Sequence, residues 1–242
     1  MTSLLAFDTA TERMVVAVSR DGRVRSDTSA GGAKASTTLI GTCLRLLGET
    51  GLGLADLDAI AFGRGPGAFT GLRTACSVAQ GLAFGAGKPV LPIDSLLPVA
   101  ETARSGASEF RVWATIDARM DQIYAAEYRF ANDRWSVEQA PMLTDAEALS
   151  ERWKHAPASA IAGDALQMFA TRLQTGDAVL HPEARIGADV LVVLAERAWR
   201  DGAAVDPGQA LPLYVRDKVA ETTVEREARA RGPSIALTDP RR

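Results

Sequence analysis

Histidine is nearly missing from this 242-residue sequence: only His155 and His181 occur, far apart. Metal sites built on imidazole or thiolate need ligands paired at short spacing, and no such pair exists here. Each histidine adjoins a loop, at Ala156-Pro157 and at Pro182, and is expected to be an exposed bystander. Cysteine is as scarce. Cys43 and Cys76 cannot build a disulfide framework, and both fall in helical patterns among apolar residues. They read as buried free thiols of a reducing cytosol. No run approaches the ~18 apolar residues of a membrane span. Met1 to Asp8 has neither a cationic start nor a signal-like cleavage site, so a cytoplasmic protein with no membrane role is expected. A cationic excess is absent too: 27 Lys and Arg against 30 Asp and Glu give 27 − 30 = −3. A strongly basic nucleic-acid binder is thereby excluded.

What is present is an ordinary globular composition, 47% hydrophobic and 24% charged, in a chain long enough to bury a sizeable core. Leu4 to Phe7 and Met14 to Val18 read as strands. Asp21-Gly22 is a hairpin turn, and Val24 opens a third strand. Ser29 to Ser36 reads as a Gly-rich loop. Leu39, Ile40, Cys43, Leu44 and Leu47 recur at helical spacing, with Ser36 or Thr37 as candidate cap and Gly51 as stop. Ala59 to Phe62 is a strand, and about Thr70 to Phe84 a helix stopped by Gly85 and Gly87. Pro89 to Ile93 is the next strand, and Asp94 or Ser95 is expected to cap a helix through Ala103.

The second half begins in the same way. Val112 to Ile116 ends at Asp117, Ile123 to Tyr128 follows, Asn132-Asp133 turns, and Trp135 starts a third strand. Helices over Thr144 to Lys154 and Ala188 to Trp199 flank a strand at Ala158 to Gly163. Alternating strands and helices predict an α/β layer fold. The repeated opening predicts two related lobes, 1–105 and 106–218. Residues 219–242 form a charged tail in which Glu221, Glu225 and Arg229 are spaced for a solvated helical face, and a frayed end is expected beyond Gly232-Pro233.

Three features bear on chemistry, each with a plainer alternative. Asp8-Thr9-Ala10-Thr11 sits where a strand turns: its backbone N–H groups and hydroxyls suit an anion and its carboxylate a hydrated magnesium ion, or the same groups satisfy a hairpin locally. Gly63-Arg64-Gly65-Pro66-Gly67-Ala68-Phe69-Thr70-Gly71-Leu72-Arg73 feeds a helix N-terminus, a geometry suited to an anion or simply to a tight strand-to-helix connection. It lacks the Gly-Lys-Ser/Thr ending of a P-loop and the spacing of a dinucleotide fingerprint. Gly71, Ala75, Ala79 and Ala83 form a small-residue stripe that packs within the chain or admits a partner helix. No Gly-x-Ser-x-Gly elbow occurs, and Arg64, Arg73 and Arg119 form either a local basic patch or a set of solvated charges.

Taken together, these segments resemble the TsaB (YeaZ) family. The resemblance rests on Leu5 to Thr11, on Gly63 to Arg73, on Ala79-Gln80-Gly81-Leu82-Ala83, on Ile116 to Met120 with Tyr124, Glu127 and Tyr128, and on Pro212-Leu213-Tyr214-Val215-Arg216. It implies a two-lobed actin–hexokinase-type (ASKHA, ribonuclease H-like) fold with mixed sheets flanked by helices. It implies a non-catalytic subunit, without cofactor or metal, in the synthesis of threonylcarbamoyladenosine beside the anticodon of ANN-decoding tRNAs. Its partners would be the paralogous transferase TsaD, as a heterodimer, and the small ATPase TsaE. A homodimer is the alternative for the isolated chain, and tRNA is expected only within the complex. The family's dimer surface is built from the first two helices, which places partner-binding residues at Leu39, Cys43, Leu47, Thr70, Gly71, Thr74, Ala75, Val78, Ala79 and Leu82. Asp8, Thr9, Ala10 and Thr11 become a vestigial phosphate loop, and Gly63, Arg64, Gly65, Pro66, Gly67 and Arg73 the family-motif loop. TsaD-like chains carry a His-x-x-x-His motif that this sequence lacks. Asp117-Ala118-Arg119 lacks the glycine of a second phosphate loop, and the only Gly-Gly pair, Gly31-Gly32, is not where an adenosine pocket would be built. Ala35 stands where many members have a histidine before the first helix. Competing readings are a stand-alone small-molecule kinase or ATPase of the same superfamily, which predicts turnover by the isolated chain, and a glycopeptidase, whose metal ligands are missing.

Overall fold

The computed structural model describes residues 2–216; the expectations for Glu221, Glu225, Arg229 and the rest of the tail lie outside the described residues. The first half runs β1 (Ser3–Asp8), β2 (Arg13–Arg20), β3 (Arg23–Ala30), α1 (Ala35–Thr50), β4 (Ala59–Gly65), α2 (Phe69–Ala86), β5 (Val90–Asp94) and α3 (Leu97–Arg104). Its sheet has the order β3-β2-β1-β4-β5, with β1 antiparallel to β2 and parallel to β4. The second half runs β6 (Phe110–Arg119), β7 (Gln122–Ala131), β8 (Arg134–Thr144), α4 (Ala146–His155), β9 (Ala160–Ala162), α5 (Ala165–Met168), β10 (Val179–His181) and α6 (Ala188–Arg200). Its sheet order is β10-β9-β6-β7-β8, which is the first sheet again with β6 in the place of β1. The repeated opening in the sequence is therefore a repeat of topology.

Alternation along the strands explains the layers. In β1, Leu4 and Ala6 face one apolar cluster, while Leu5 and Phe7 face another that contains Leu39, Leu47 and Ala79. Because both faces are covered, the strand reads as a continuous apolar run. The first cluster is shared with Val112, Ala114 and Ile116 of β6 and with Val99 of α3 and Leu191 of α6, so these two helices lie between the sheets. Trp113 and Ile161 point the other way, onto Leu149 and Trp153 of α4 and Leu166 of α5. The order through the molecule is helices, sheet, helices, sheet, helices.

The sheets separate near Gly106, but α6 packs on β1, β2 and β5, and the chain after it stays with the first lobe. Val205 exchanges backbone hydrogen bonds with Val90 (2.9 and 3.0 Å), and Leu213 N donates to Arg64 O at 2.7 Å. Residues 188–216 thus share the packing of the first lobe. Arg197 of α6, Arg104 of α3 and Trp135 of β8 all converge on Glu101, which is only 8% exposed. Burial works to raise the Glu101 pKa, but hydrogen bonds from Arg104, Arg197 and Trp135 outweigh it and hold the carboxyl below its ordinary range.

Helix ends are partly as expected. Gly51 (φ 68) closes α1 and Gly87 (φ 65) closes α2, the left-handed conformation that glycine permits, while Gly85 lies inside the helix. The proposed N-caps fail. α1 starts at Ala35 without a side-chain cap, and Thr37 Oγ1 donates back to Lys34 O at 2.8 Å instead. Neither Asp94 nor Ser95 caps α3, because both are engaged by the glycine loop.

Candidate functional site

The two motifs singled out by sequence meet at the top of the first sheet. The β1–β2 turn and the loop from Gly63 to Gly71 are in backbone contact. A Cβ at Gly71 would lie 2.0 Å from Thr9 O, and one at Gly67 would lie 2.5 Å from Ala10 Cβ. Ala68 N donates to Ala10 O at 2.8 Å, and Thr9 Oγ1 donates to Gly71 O at 2.7 Å. These glycines are there for close approach rather than flexibility.

Asp8 lies beneath this joint. Its Oδ1 accepts from Ala10 N and its Oδ2 from Ser95 Oγ, both at 2.6 Å; Ser95 Oγ in turn accepts from Gly65 N at 3.1 Å. Gly63 provides the room, since a Cβ there would fall 1.8 Å from Asp8 Oδ2. Burial pushes the Asp8 carboxyl above its ordinary value, against the opposing pull of the Ser95 and Ala10 hydrogen bonds. Asp8 and Thr9 are therefore engaged in holding the loop. Ala10 and Thr11 reach the cleft between the lobes, where Thr11 Oγ1 accepts from Arg13 N at 3.2 Å. The cleft is a cavity of about 580 Å³ closed on one side by residues 213–216.

The three arginines do not act as a free basic patch. Arg64 pairs with Asp94 at 2.5 Å, and Arg119 pairs with Glu12 and Asp117. Arg73 lies over the Phe69 ring (3.9 Å to its centre), with its Nε donating to Tyr214 Oη at 3.0 Å. Pro66 is buried beside them and is joined to Gly65 by a cis bond. His155 is exposed and contacts Glu151, as foreseen. His181 is half-buried, edge-on to Phe110, which corrects its assignment as an exposed residue. Among the described residues no group of three or more His, Cys, Asp or Glu could hold a metal.

The partner-binding assignment needs the larger correction. Leu39, Cys43, Leu47, Gly71, Ala75 and Ala79 are buried in the chain's own core against the first sheet, where they have no surface to offer. The stripe is small because α2 packs close to β4. Burial also pushes the Cys43 thiol up to about 12, and both cysteines are free and buried as expected. Thr70 is exposed, and Thr74, Val78 and Leu82 are half-buried. Besides Thr70, Thr74, Val78 and Leu82, the outer face of the same helices carries apolar residues that the sequence reading did not assign to a partner. Ile40 is 47% and Leu44 49% exposed on α1, and Phe84 is 61% exposed on α2. Gly41 and Gly48 on α1, and Gly81 and Gly85 on α2, would meet nothing within 4 Å if given a Cβ. The signal was there: Ile40 and Leu44 widen the apolar arc of α1 beyond what one buried face requires.

A family model described as "TsaD: tRNA N6-adenosine threonylcarbamoyltransferase" matches residues 32–223. Over nearly the whole chain the likeness is to a different protein. The "tRNA threonylcarbamoyladenosine biosynthesis protein TsaB" of Escherichia coli is 32% identical over 221 residues, 90% of this chain and 96% of that protein. This chain belongs to the TsaB family. The Haemophilus influenzae TsaB is 41% identical over 125 residues, 52% of this chain and 53% of its own length. The solved structure of YeaZ from Pseudomonas aeruginosa superposes with a TM-score of 0.79 at 36% identity, covering 88% of this chain and 100% of that one. The fold is accordingly the two-lobed actin–hexokinase type, with the duplicated mixed sheets described above. Ala35 is fully buried as the first residue of α1.

Proposed function

We propose that this chain is the non-catalytic subunit required for threonylcarbamoyl transfer to the adenosine beside the anticodon of ANN-decoding tRNAs. It acts by docking onto the catalytic paralogue TsaD through the outer faces of α1 and α2, and the assembled pair recruits the ATPase TsaE. The observation that carries this reading is the exposed pair Ile40 and Leu44 beside the half-buried Thr74, Val78 and Leu82, interspersed with glycines at which a Cβ would meet no described atom within 4 Å. Glycine within a helix costs about 1 kcal/mol relative to alanine, and a second backbone approaching closely gives it a use. Covering a leucine or isoleucine contributes about 1.5–3 kcal/mol, so Ile40 and Leu44 suit the role of interface anchors.

Two further points support a subunit without its own chemistry. Asp8, the carboxylate placed by the family motif at the strand end, is already engaged by Ser95 and Ala10. The sequence also lacks the His-x-x-x-His ligands of a TsaD-like chain. A net charge of −3 gives the isolated chain no overall attraction for phosphates, which supports tRNA contact within the complex rather than by this chain alone. Leu44→Glu tests the docking face without touching the core. The reading predicts that this variant stays folded, no longer copurifies with TsaD and no longer supports tRNA modification. Retention of both properties would refute it.

A further inference from the structure

The cavity between the lobes is separate from the docking face, and its wall has a distinct chemistry. It is lined by Leu72, Val99, Ile116, Ile186, Leu213 and Val215, and its volume of about 580 Å³ suits a small molecule. The wall also carries Glu12 and Asp117, both paired with Arg119, and Asp164, which accepts from Asp117 N; beside them, two polar groups face the apolar part of the space. Among the described residues the Tyr124 hydroxyl, buried in the wall, reaches only Gly67 O at 3.5 Å, too far for a good hydrogen bond. The Arg216 guanidinium is held by Gln122 Oε1 at 2.8 Å, Ala118 O at 3.0 Å and Met120 Sδ at 3.2 Å, all of them neutral. Among the described residues Arg216 has no carboxylate partner, and its Nε is buried without an acceptor. The neighbouring cation Arg119, by contrast, is neutralised by Glu12 and Asp117. A cation that the described residues leave without a carboxylate, beside apolar side chains, is costly, and an anion with an apolar body would relieve that cost while filling the space.

We propose that the inter-lobe cavity binds a small carboxylate or phosphate monoester with an apolar body, its anionic end held by Arg216 and the Tyr124 hydroxyl. The apolar body lies against Ile116, Val99 and Leu72, and the segment 213–216 forms the wall that carries the anion-binding guanidinium. This site does not depend on the docking reading, and either can fail without the other.

Methyl-labelled full-length chain titrated with octanoate, octyl phosphate and 1-octanol tests the proposal, because the apolar body is constant and only the headgroup changes. The two anions distinguish carboxylate from phosphate recognition. At least one is expected to shift the Ile116, Ile186 and Leu72 methyl signals saturably and to bind at least about tenfold tighter than octanol, as one charged hydrogen bond would give. Arg216→Gln should bring that anion to the level of octanol and leave octanol unchanged. If Arg216→Gln does not fold, Ile116→Trp, which fills the cavity from β6, should abolish the shifts at Ile186 and Leu72. Equal binding of octanol and both anions, shifts confined to Ile40 and Leu44, or no saturable shift would each overturn the proposal.

Discussion

Ser95 Oγ donates to Asp8 Oδ2 at 2.6 Å, joining residues 87 positions apart, and the same hydroxyl accepts from Gly65 N. The strand-end carboxylate is thereby made a support of the glycine loop. Burial raises the Asp8 pKa from its ordinary 3.8, so the folded chain holds this proton more firmly than the unfolded one. The resulting stabilisation is fully present below pH 3.8 and is lost as pH rises through the folded value. Asp8→Asn should remove that pH dependence in urea unfolding, keep the loop in place and retain tRNA modification. A folded Asp8→Asn protein that no longer supports modification would assign the carboxylate a chemical role instead.

The glycines divide into two classes with opposite expected outcomes. Gly71→Ala forces a Cβ to within 2.0 Å of Thr9 O and should cost about 1–3 kcal/mol or more in denaturant unfolding. Gly81→Ala meets nothing and should stabilise the isolated chain by up to about 1 kcal/mol. If α2 receives a second helix, the same Gly81→Ala change should weaken association with TsaD, measured by sedimentation of the mixture. Gain of stability with unchanged association would remove Gly81 from the interface.

Glu101 ties α3, α6 and β8 together. Glu101→Ala leaves Arg104 and Arg197 without their shared buried carboxylate and should cost about 3–5 kcal/mol. Because the folded pKa lies below the ordinary 4.5, the wild-type contribution is complete above that pH and is lost as pH falls through the folded value. Urea midpoints between pH 3 and 7 should therefore fall steeply at the acid end in wild type and less so in Glu101→Gln. Equal slopes would mean that the carboxylate is not held ionised by its neighbours.

Ala79→Glu is expected to unfold the chain rather than report on an interface, since Ala79 is fully buried against the first sheet. Circular dichroism should show loss of cooperative unfolding, while Leu44→Glu should melt like wild type. A well-folded Ala79→Glu protein would contradict the inward placement of the stripe.

Local patterns in the sequence carried the fold a long way. Asp21-Gly22 makes the expected hairpin, with φ of 51 and 78, and the alternation in both halves predicts the duplicated sheets. Features set by long-range contact were not legible. Ser95 looks like a helix cap by its position, yet its hydroxyl is taken by Asp8. The return of residues 203–216 to the first lobe depends on partners such as Val90, Gln80 and Arg64, which no periodicity announces. On α1, Leu39 and Ile40 are equally apolar, and only the packed sheet decides that the first turns inward and the second outward.

Reconstitution with one component omitted tests the central claim most directly. Purified TsaD, TsaE, tRNA, ATP and a source of threonylcarbamoyl-adenylate are assayed for modified tRNA with and without this chain. The expected result is background yield in its absence, full yield on adding it back, and no turnover by the chain alone. Undiminished modification without it, or chemistry catalysed by the isolated chain, would contradict the account.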